Sequence, residues 1–250
     1  MNNLFKKRLI QGDLQIGTIV TLPSTEVAEV LCLAGFDWLF VDLEHSAMGV
    51  QDAQAILQAA SPKVPCVIRV PAIDEVWIKK CLDAGAAGII VPQIRTSEDA
   101  GRAVQLCRYP PVGSRGVGIA RAQAYGAGFT DYVARANDEI AVVVQIEHVD
   151  AVANLDSIIS VPGIDALFVG PYDLSGSMGK LGQVKDPEVQ AAIAQVKLTA
   201  GRAGIPLGIF GTTAEAVMPH IADGYKLIAV GTDAVMLGAM ARETLATLRV

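Results

Sequence analysis

Glu147 and Asp173 each stand where a run of strand-forming apolar residues gives out. Ile140-Ala-Val-Val-Val-Gln-Ile-Glu147 ends in Gln145, Glu147 and His148, and Ile164-Asp-Ala-Leu-Phe-Val-Gly-Pro-Tyr-Asp173 breaks at Gly170-Pro171. Runs rich in Val and Ile on both faces belong in the middle of a parallel sheet, where ligands sit at the carboxyl ends of the strands. Two hard, anionic oxygen donors at such ends suit a divalent metal ion, most simply Mg2+ or Mn2+, with Co2+ as a further candidate. Taken singly, either carboxylate reads equally as a solvated loop charge. Their matching positions favour a shared site.

Other strand ends add to this picture. Val41-Asp42-Leu43-Glu44-His45 places two acids close before one of only three histidines, so each histidine is a scarce candidate base. A carboxylate that holds an imidazole fixes its tautomer and makes it the usual general base near neutral pH. A helix-capping cluster is the alternative reading. Arg69 interrupts the apolar Val67-Ile-Arg-Val-Pro71. Burying it is costly unless it meets an anion, and its planar fork suits a carboxylate or an enolate oxygen. A structural ion pair with Asp42 or Glu44 is compatible with that role. Gln145 and Glu147 lie two apart and so face the same side of a strand, where Gln145 can orient substrate while Glu147 binds metal. Backbone groups of the turn Gly170-Pro171-Tyr172-Asp173 can bind a carboxylate beside Asp173 as a second ligand. Asp83 closes a helical stretch and either reaches His45 from a neighbouring loop or caps its helix.

Lysines are in the wrong places for imine chemistry, which needs one at a strand's carboxyl end. Lys63 and Lys226 open strands, and Lys180 and Lys185 lie beyond the sixth. An enolate held by a metal is the preferred chemistry.

The elements that must position these residues follow from periodicity. Strand-like runs fall near Gln15–Thr21, Phe36–Asp42, Val64–Val70, Ala87–Pro92, Ile140–Glu147, Ile164–Gly170, Pro206–Phe210 and Lys226–Val230. Helical spacing marks Val50–Ala60, Glu75–Ala84, Ser97–Cys107, Pro187–Ala203 and Thr232–Leu248. The repeated helix, glycine, strand cadence predicts an α/β fold, a (β/α)8 TIM barrel, as one domain over residues 1–250. An open doubly wound sheet is the alternative, but its G-x-G-x-x-G after the first strand is missing. One connection, from Arg108 to Glu139, is long enough to predict a lid or a subunit contact.

Composition narrows the function classes. The chain is 52% hydrophobic and 18% charged, which fits strands buried on both faces. A net charge of −6 with no basic block argues against nucleic acid as a partner. No stretch is apolar enough to predict a membrane span, and Met1–Arg8 lacks the apolar core of a signal peptide. The four scattered cysteines are expected to be reduced core residues of a cytoplasmic protein.

Together the segments Gly35–His45, Arg69, Arg108–Gly118, Val144–Glu147 and Val169–Ser175 resemble the HpcH/HpaI family of class II, metal-dependent pyruvate aldolases. That family includes 4-hydroxy-2-oxo-acid and 2-dehydro-3-deoxyglucarate aldolases, within a barrel superfamily that stabilises pyruvate enolates. The resemblance implies Glu147 and Asp173 as metal ligands, and Gln145 with the backbone at Tyr172 as contacts to pyruvate. It implies that Arg69 polarises the keto oxygen and that His45, supported by Asp42 and Asp83, moves the proton. A 2-oxo acid and an aldehyde are the implied partners. A homohexamer is also implied, with Thr232–Leu248 as the candidate for a helix exchanged between subunits. Leu43 and Tyr172 are positions at which the family varies, and both flank the pocket that takes the aldehyde. Other enolate-forming lyases or decarboxylases, acting on an oxo acid or an acyl-CoA ester, share this chemistry, and a non-catalytic barrel that binds a metal or an oxo acid is the remaining alternative.

Overall fold

The computed structural model describes residues 4–61 and 63–249. Residues 1–3, 62 and 250 of the expected 1–250 domain, including the start of the Met1–Arg8 segment, lie outside the described residues. Eight parallel strands close into a barrel in chain order. They are β1 Gln15–Val20, β2 Trp38–Asp42, β3 Cys66–Arg69, β4 Gly88–Val91, β5 Ala141–Ile146, β6 Ala166–Val169, β7 Leu207–Gly211 and β8 Leu227–Thr232. The expected (β/α)8 barrel is therefore present, with strand ends displaced by no more than two residues.

The helices are α1 Leu4–Ile10, α2 Thr25–Ala34, α3 Val50–Ala60, α4 Glu75–Asp83, α5 Ser97–Cys107 and α6 Phe129–Glu139. They continue as α7 Val149–Ala153, α8 Leu155–Ile159, α9 Pro171–Ser177, α10 Pro187–Ala203, α11 Ala214–Ala222 and α12 Asp233–Leu248. Short polar side chains start several of them. Asp74 accepts from the N–H groups of Val76 and Trp77, and Thr96 with Asp99 forms a capping box at α5. Each such cap stabilises its helix by about 1 kcal/mol and fixes where the strand-to-helix loop ends.

Two apolar layers hold the barrel. Outward residues such as Val142, Val144, Ile146, Leu167 and Val169 pack under the helices. Inward residues, among them Trp38, Phe40, Val67, Ala141, Val143, Ala166 and Phe168, fill the interior. An aromatic column runs through that interior, from Phe5 to Trp38 at 5.7 Å, Phe40 at 5.8 Å and Phe168 at 5.7 Å. Phe5 and Leu9 belong to α1, which covers the amino-terminal end of the barrel. All four cysteines are free; Cys66, Cys81 and Cys107 are buried in the core and Cys32 is half-buried against it, and burial pushes Cys81 and Cys107 up to about 12. Among the described residues no helix is long and apolar enough to cross a membrane.

The long connection departs from one expectation. It is no lid over the strand carboxyl ends, because it carries α6 and packs at the opposite rim. Arg121 donates to the carbonyl of Ala84, just past α4, and to that of Leu57 in the last turn of α3, and the N–H of Ala122 donates to Asp83 O. Arg115, buried between the rings of Tyr109 and Tyr132 at 4.5 and 5.6 Å, fastens the segment to Asp83.

Gly17 on β1 shows how tightly the interior is filled. A Cβ there would lie 2.5 Å from Trp38 O and 2.6 Å from the indole Cε2 and Nε1. That indole is fully buried and donates to Gln15 O and Ile228 O, so it has no room to yield. Gly17→Ala is expected to cost about 1–3 kcal/mol. A thermal melt several degrees below that of the unaltered protein would bear this out; an unchanged Tm would not.

Candidate active site

Strand alternation carries the functional residues into the barrel mouth. On β5, Ala141 and Val143 point inward while Val142, Val144 and Ile146 point outward, so Gln145 and Glu147 continue the inward series. Phe40 on β2 leads to Asp42 in the same way, Val67 on β3 to Arg69, and Phe168 on β6 to Gly170. β2, β3 and β5 thus present polar side chains to one opening, and β6 brings a glycine up beside them.

Asp42 and Arg69 meet directly. Arg69 Nε donates to Asp42 Oδ1 at 2.9 Å and Nη2 donates to Oδ2 at 2.7 Å, a two-bond fork between register partners on β2 and β3. The guanidinium also lies 3.2 Å from Glu44 Oε2 and over the Phe40 ring at 5.1 Å. Burial alone would push Arg69 down, but Asp42, Glu44 and Glu147 outweigh it and hold the guanidinium's pKa above its ordinary value. The expected ion pair of Arg69 is present with both candidate acids.

His45 is placed differently from the expectation. Asp42 Oδ1 accepts from the backbone N–H groups of Glu44 and His45, not from the imidazole. The ring's carboxylate neighbour is Glu44, whose Oε2 lies 3.7 Å from Nε2. His45 is 62% exposed, and so free to turn toward a molecule in the mouth. Burial pushes Glu44 up to about 7, with Arg69 pulling down and the Asp42 and Asp173 charges adding to the rise. Asp83 is not brought to His45 by this chain. It ends α4 at the opposite rim, 2.7 Å from Arg115, because helices run back from strand carboxyl ends to the next strand's start.

Glu147 is 2% exposed and held on both oxygens. Oε1 accepts from the Gln93 backbone N–H at 2.7 Å and from its Nε2 at 3.0 Å, while Oε2 accepts from Gln145 Nε2. Burial raises Glu147, the Gln93 N–H opposes it, and the Glu44 and Asp173 charges raise it further. Gly170 allows this approach: a Cβ there would lie 3.0 Å from Gln145 Nε2 and from Glu147 Oε2. Pro171 then starts α9, which sets Tyr172 and Asp173 on the rim, with the Tyr172 ring 6.5 Å from Phe210.

Gln93 was not foreseen from the sequence. It follows Val91-Pro92 at the end of β4, and a polar residue at a strand's carboxyl end was the available signal. Its backbone is left-handed, at φ 57, a conformation that costs a non-glycine residue on the order of 1–3 kcal/mol.

The donor set suits a hard divalent cation. Glu44, Glu147 and Asp173 face one another's charge, with Arg69 as the cation among them. Gln145 Oε1 is buried without a hydrogen-bond partner, a further oxygen in the same place. Among the described residues no three His, Cys, Asp or Glu side chains converge as a closed cage would require. Two carboxylates with open positions are the usual way an Mg2+-type ion is held when water and substrate complete its shell.

Comparison with known proteins places this geometry in a family. Residues 15–238 match the model of the HpcH/HpaI aldolase/citrate lyase family. A hydroxypyruvate/pyruvate aldolase of Sagittula stellata is 43% identical over 96% of this chain and 96% of its own length. A 4-hydroxy-2-oxo-heptane-1,7-dioate aldolase of Shigella sonnei is 42% identical over 98% of this chain and 94% of its own. The crystal structure of a family protein from Burkholderia cenocepacia J2315 superposes with a TM-score of 0.95 at 37% identity, covering 100% of both chains. A barrel with paired rim carboxylates, an arginine fork beside them and full-length relatives of this identity leads to one assignment: the chain belongs to the HpcH/HpaI aldolase/citrate lyase family.

Proposed function

We propose that this protein is a carbon–carbon lyase, a metal-dependent aldolase that reversibly cleaves a 4-hydroxy-2-oxo acid to pyruvate and an aldehyde. The observation that carries this reading is the convergence of Glu147, Asp173 and the Arg69 guanidinium on one barrel mouth. Glu147 and Asp173 hold the divalent cation, Mg2+, Mn2+ or Co2+, which supplies Lewis-acid polarisation of the oxo acid. Gln145, Gly170, Pro171 and the backbone at Tyr172 bind the pyruvate half. His45 takes the proton from the C4 hydroxyl, with Glu44 beside it. The C3–C4 bond then breaks, its electron pair passing to the pyruvate enolate as the aldehyde leaves. Arg69, fixed in place by Asp42, donates to the oxygen on which that charge develops.

We extend the reading to the assembly and to location. Of α12 only Asp233 is buried, and Val235, Leu237, Met240 and Leu245 are exposed, an apolar surface suited to another copy of the chain. This supports a homo-oligomer, in the family's manner a hexamer, of a single 1–250 barrel in the cytoplasm. Small molecules are its partners, not nucleic acid or membrane.

Three outcomes are expected. EDTA-treated protein should release no pyruvate from a panel of 4-hydroxy-2-oxo acids, and restored Mg2+ or Mn2+ should bring release back. Silence from every member in folded, metal-loaded protein would sink the aldolase assignment.

Arg69→Ala should lower kcat by about 10²–10³, the effect of losing one preorganised donor. It should also destabilise the fold by about 3–5 kcal/mol, because Asp42 is left buried without its counter-ion. Arg69→Lys keeps a charge but loses the fork, so its rate should fall with less loss in Tm; a rate near that of the unaltered protein would remove Arg69 from the chemistry.

Glu44 makes the metal-free protein pH-sensitive. Its carboxyl rises from 4.5 to about 7 on folding, so the stability it contributes is complete below 4.5 and is lost as pH climbs through about 7. In EDTA, the Tm difference between unaltered protein and Glu44→Gln should move against the unaltered protein across that window. A difference independent of pH would contradict the assignment.

A further inference from the structure

We propose that Gln93 is a positioning residue that fixes Glu147 for the divalent cation, so that removing its side-chain amide weakens metal binding even though Gln93 is not itself a ligand. The inference rests on Glu147 being a ligand, as argued above. Three observations carry it. Gln93 turns both of its donor nitrogens on one atom, Glu147 Oε1, from the backbone at 2.7 Å and from Nε2 at 3.0 Å. Its own amide oxygen is held from the other side by Arg95 Nη2 at 3.2 Å, which turns the Nε2 end toward Glu147. The residue is exposed and left-handed at φ 57, a backbone that glycine would adopt without strain.

Packing does not account for a glutamine here, since an exposed side chain at a strained position secures no core contact. Orientation of the carboxylate does. The left-handed turn after Val91-Pro92 aims the N–H of residue 93 into the mouth, and the side chain folds back along the same line. With Gln145 Nε2 on Oε2, both oxygens of Glu147 are fixed before any cation arrives. The carboxylate is therefore in place at the start and loses little freedom on binding. Groups that orient a metal ligand in this way usually alter affinity by about 10–100-fold.

Isothermal titration of metal-free protein with Mn2+ tests this without recourse to turnover. Gln93→Ala and Gln93→Gly should both bind Mn2+ about 10-fold more weakly. Both variants keep the backbone N–H, and Gln93→Gly should melt higher than Gln93→Ala because it relieves the left-handed backbone. Glu147→Gln should abolish binding. If Gln93→Ala is weakened while Gln93→Gly binds like the unaltered protein, affinity follows backbone strain and the role of the amide is refuted. Binding within two-fold in both Gln93 variants, with Glu147→Gln still inactive as a binder, overturns the proposal for Gln93 alone. Unchanged binding in Glu147→Gln overturns the ligand assignment on which it stands.

Discussion

A closed barrel gives every second strand residue no place except its interior, and that constraint organises the rest of this protein. Through the middle of the barrel the interior positions are filled by Trp38, Phe40, Phe168 and smaller apolar residues. Burying such a side chain contributes about 1.5–3 kcal/mol each. Toward the carboxyl ends the same alternation delivers Asp42, Arg69, Gln145 and Glu147. These cannot escape to solvent, so they must satisfy one another. Asp42 and Arg69 do so as a fork. Glu147 does so through Gln93 and Gln145. What remains is an excess of negative charge around a single guanidinium, an electrostatic demand that a divalent cation meets.

The opposite rim follows the same rule with a different result. Asp165 is engaged there by Lys6 and Arg108, each at 3.0 Å, and by the N–H of Val142 at 2.8 Å. Arg115 is enclosed by Tyr109, Tyr132 and Asp83. These charges are paired within the chain. The segments that carry the family likeness are thus divided by role: Gly35–His45, Val144–Glu147 and Val169–Ser175 reach the mouth, while Arg108–Gly118 braces the base.

Much of this was legible in the sequence because period-two alternation and strand-end polarity are local signals. Glu147 and Gln145 face inward for the reason their spacing predicts, and Arg69 meets an acid as its burial requires. Contacts that depend on three-dimensional placement were not legible. The sequence brings Asp42 and His45 within three residues, but strand register presents the Asp42 carboxylate to Arg69 instead. Asp83 is separated from the mouth by the direction of α4. Helix α1 was hidden because its seven residues show only Phe5 and Leu9 as apolar contacts to the interior. Gln93 carried the strand-end polarity, but the left-handed turn that aims it at Glu147 leaves no trace in the sequence.

The division of labour between Asp42 and Glu44 follows from their surroundings. Asp42 has both oxygens occupied, Oδ1 by Arg69 and two backbone N–H groups and Oδ2 by Arg69 again, so it has no oxygen to offer the imidazole. Glu44 has an Oε2 that accepts no hydrogen bond, a half-buried setting, and a pKa of about 7. That oxygen lies 3.2 Å from Arg69 Nε and 3.7 Å from His45 Nε2, so it faces the guanidinium and the ring together. Two acids separated by one residue are therefore placed differently: Asp42 anchors Arg69 through both of its oxygens, and Glu44 lies between that guanidinium and the His45 ring.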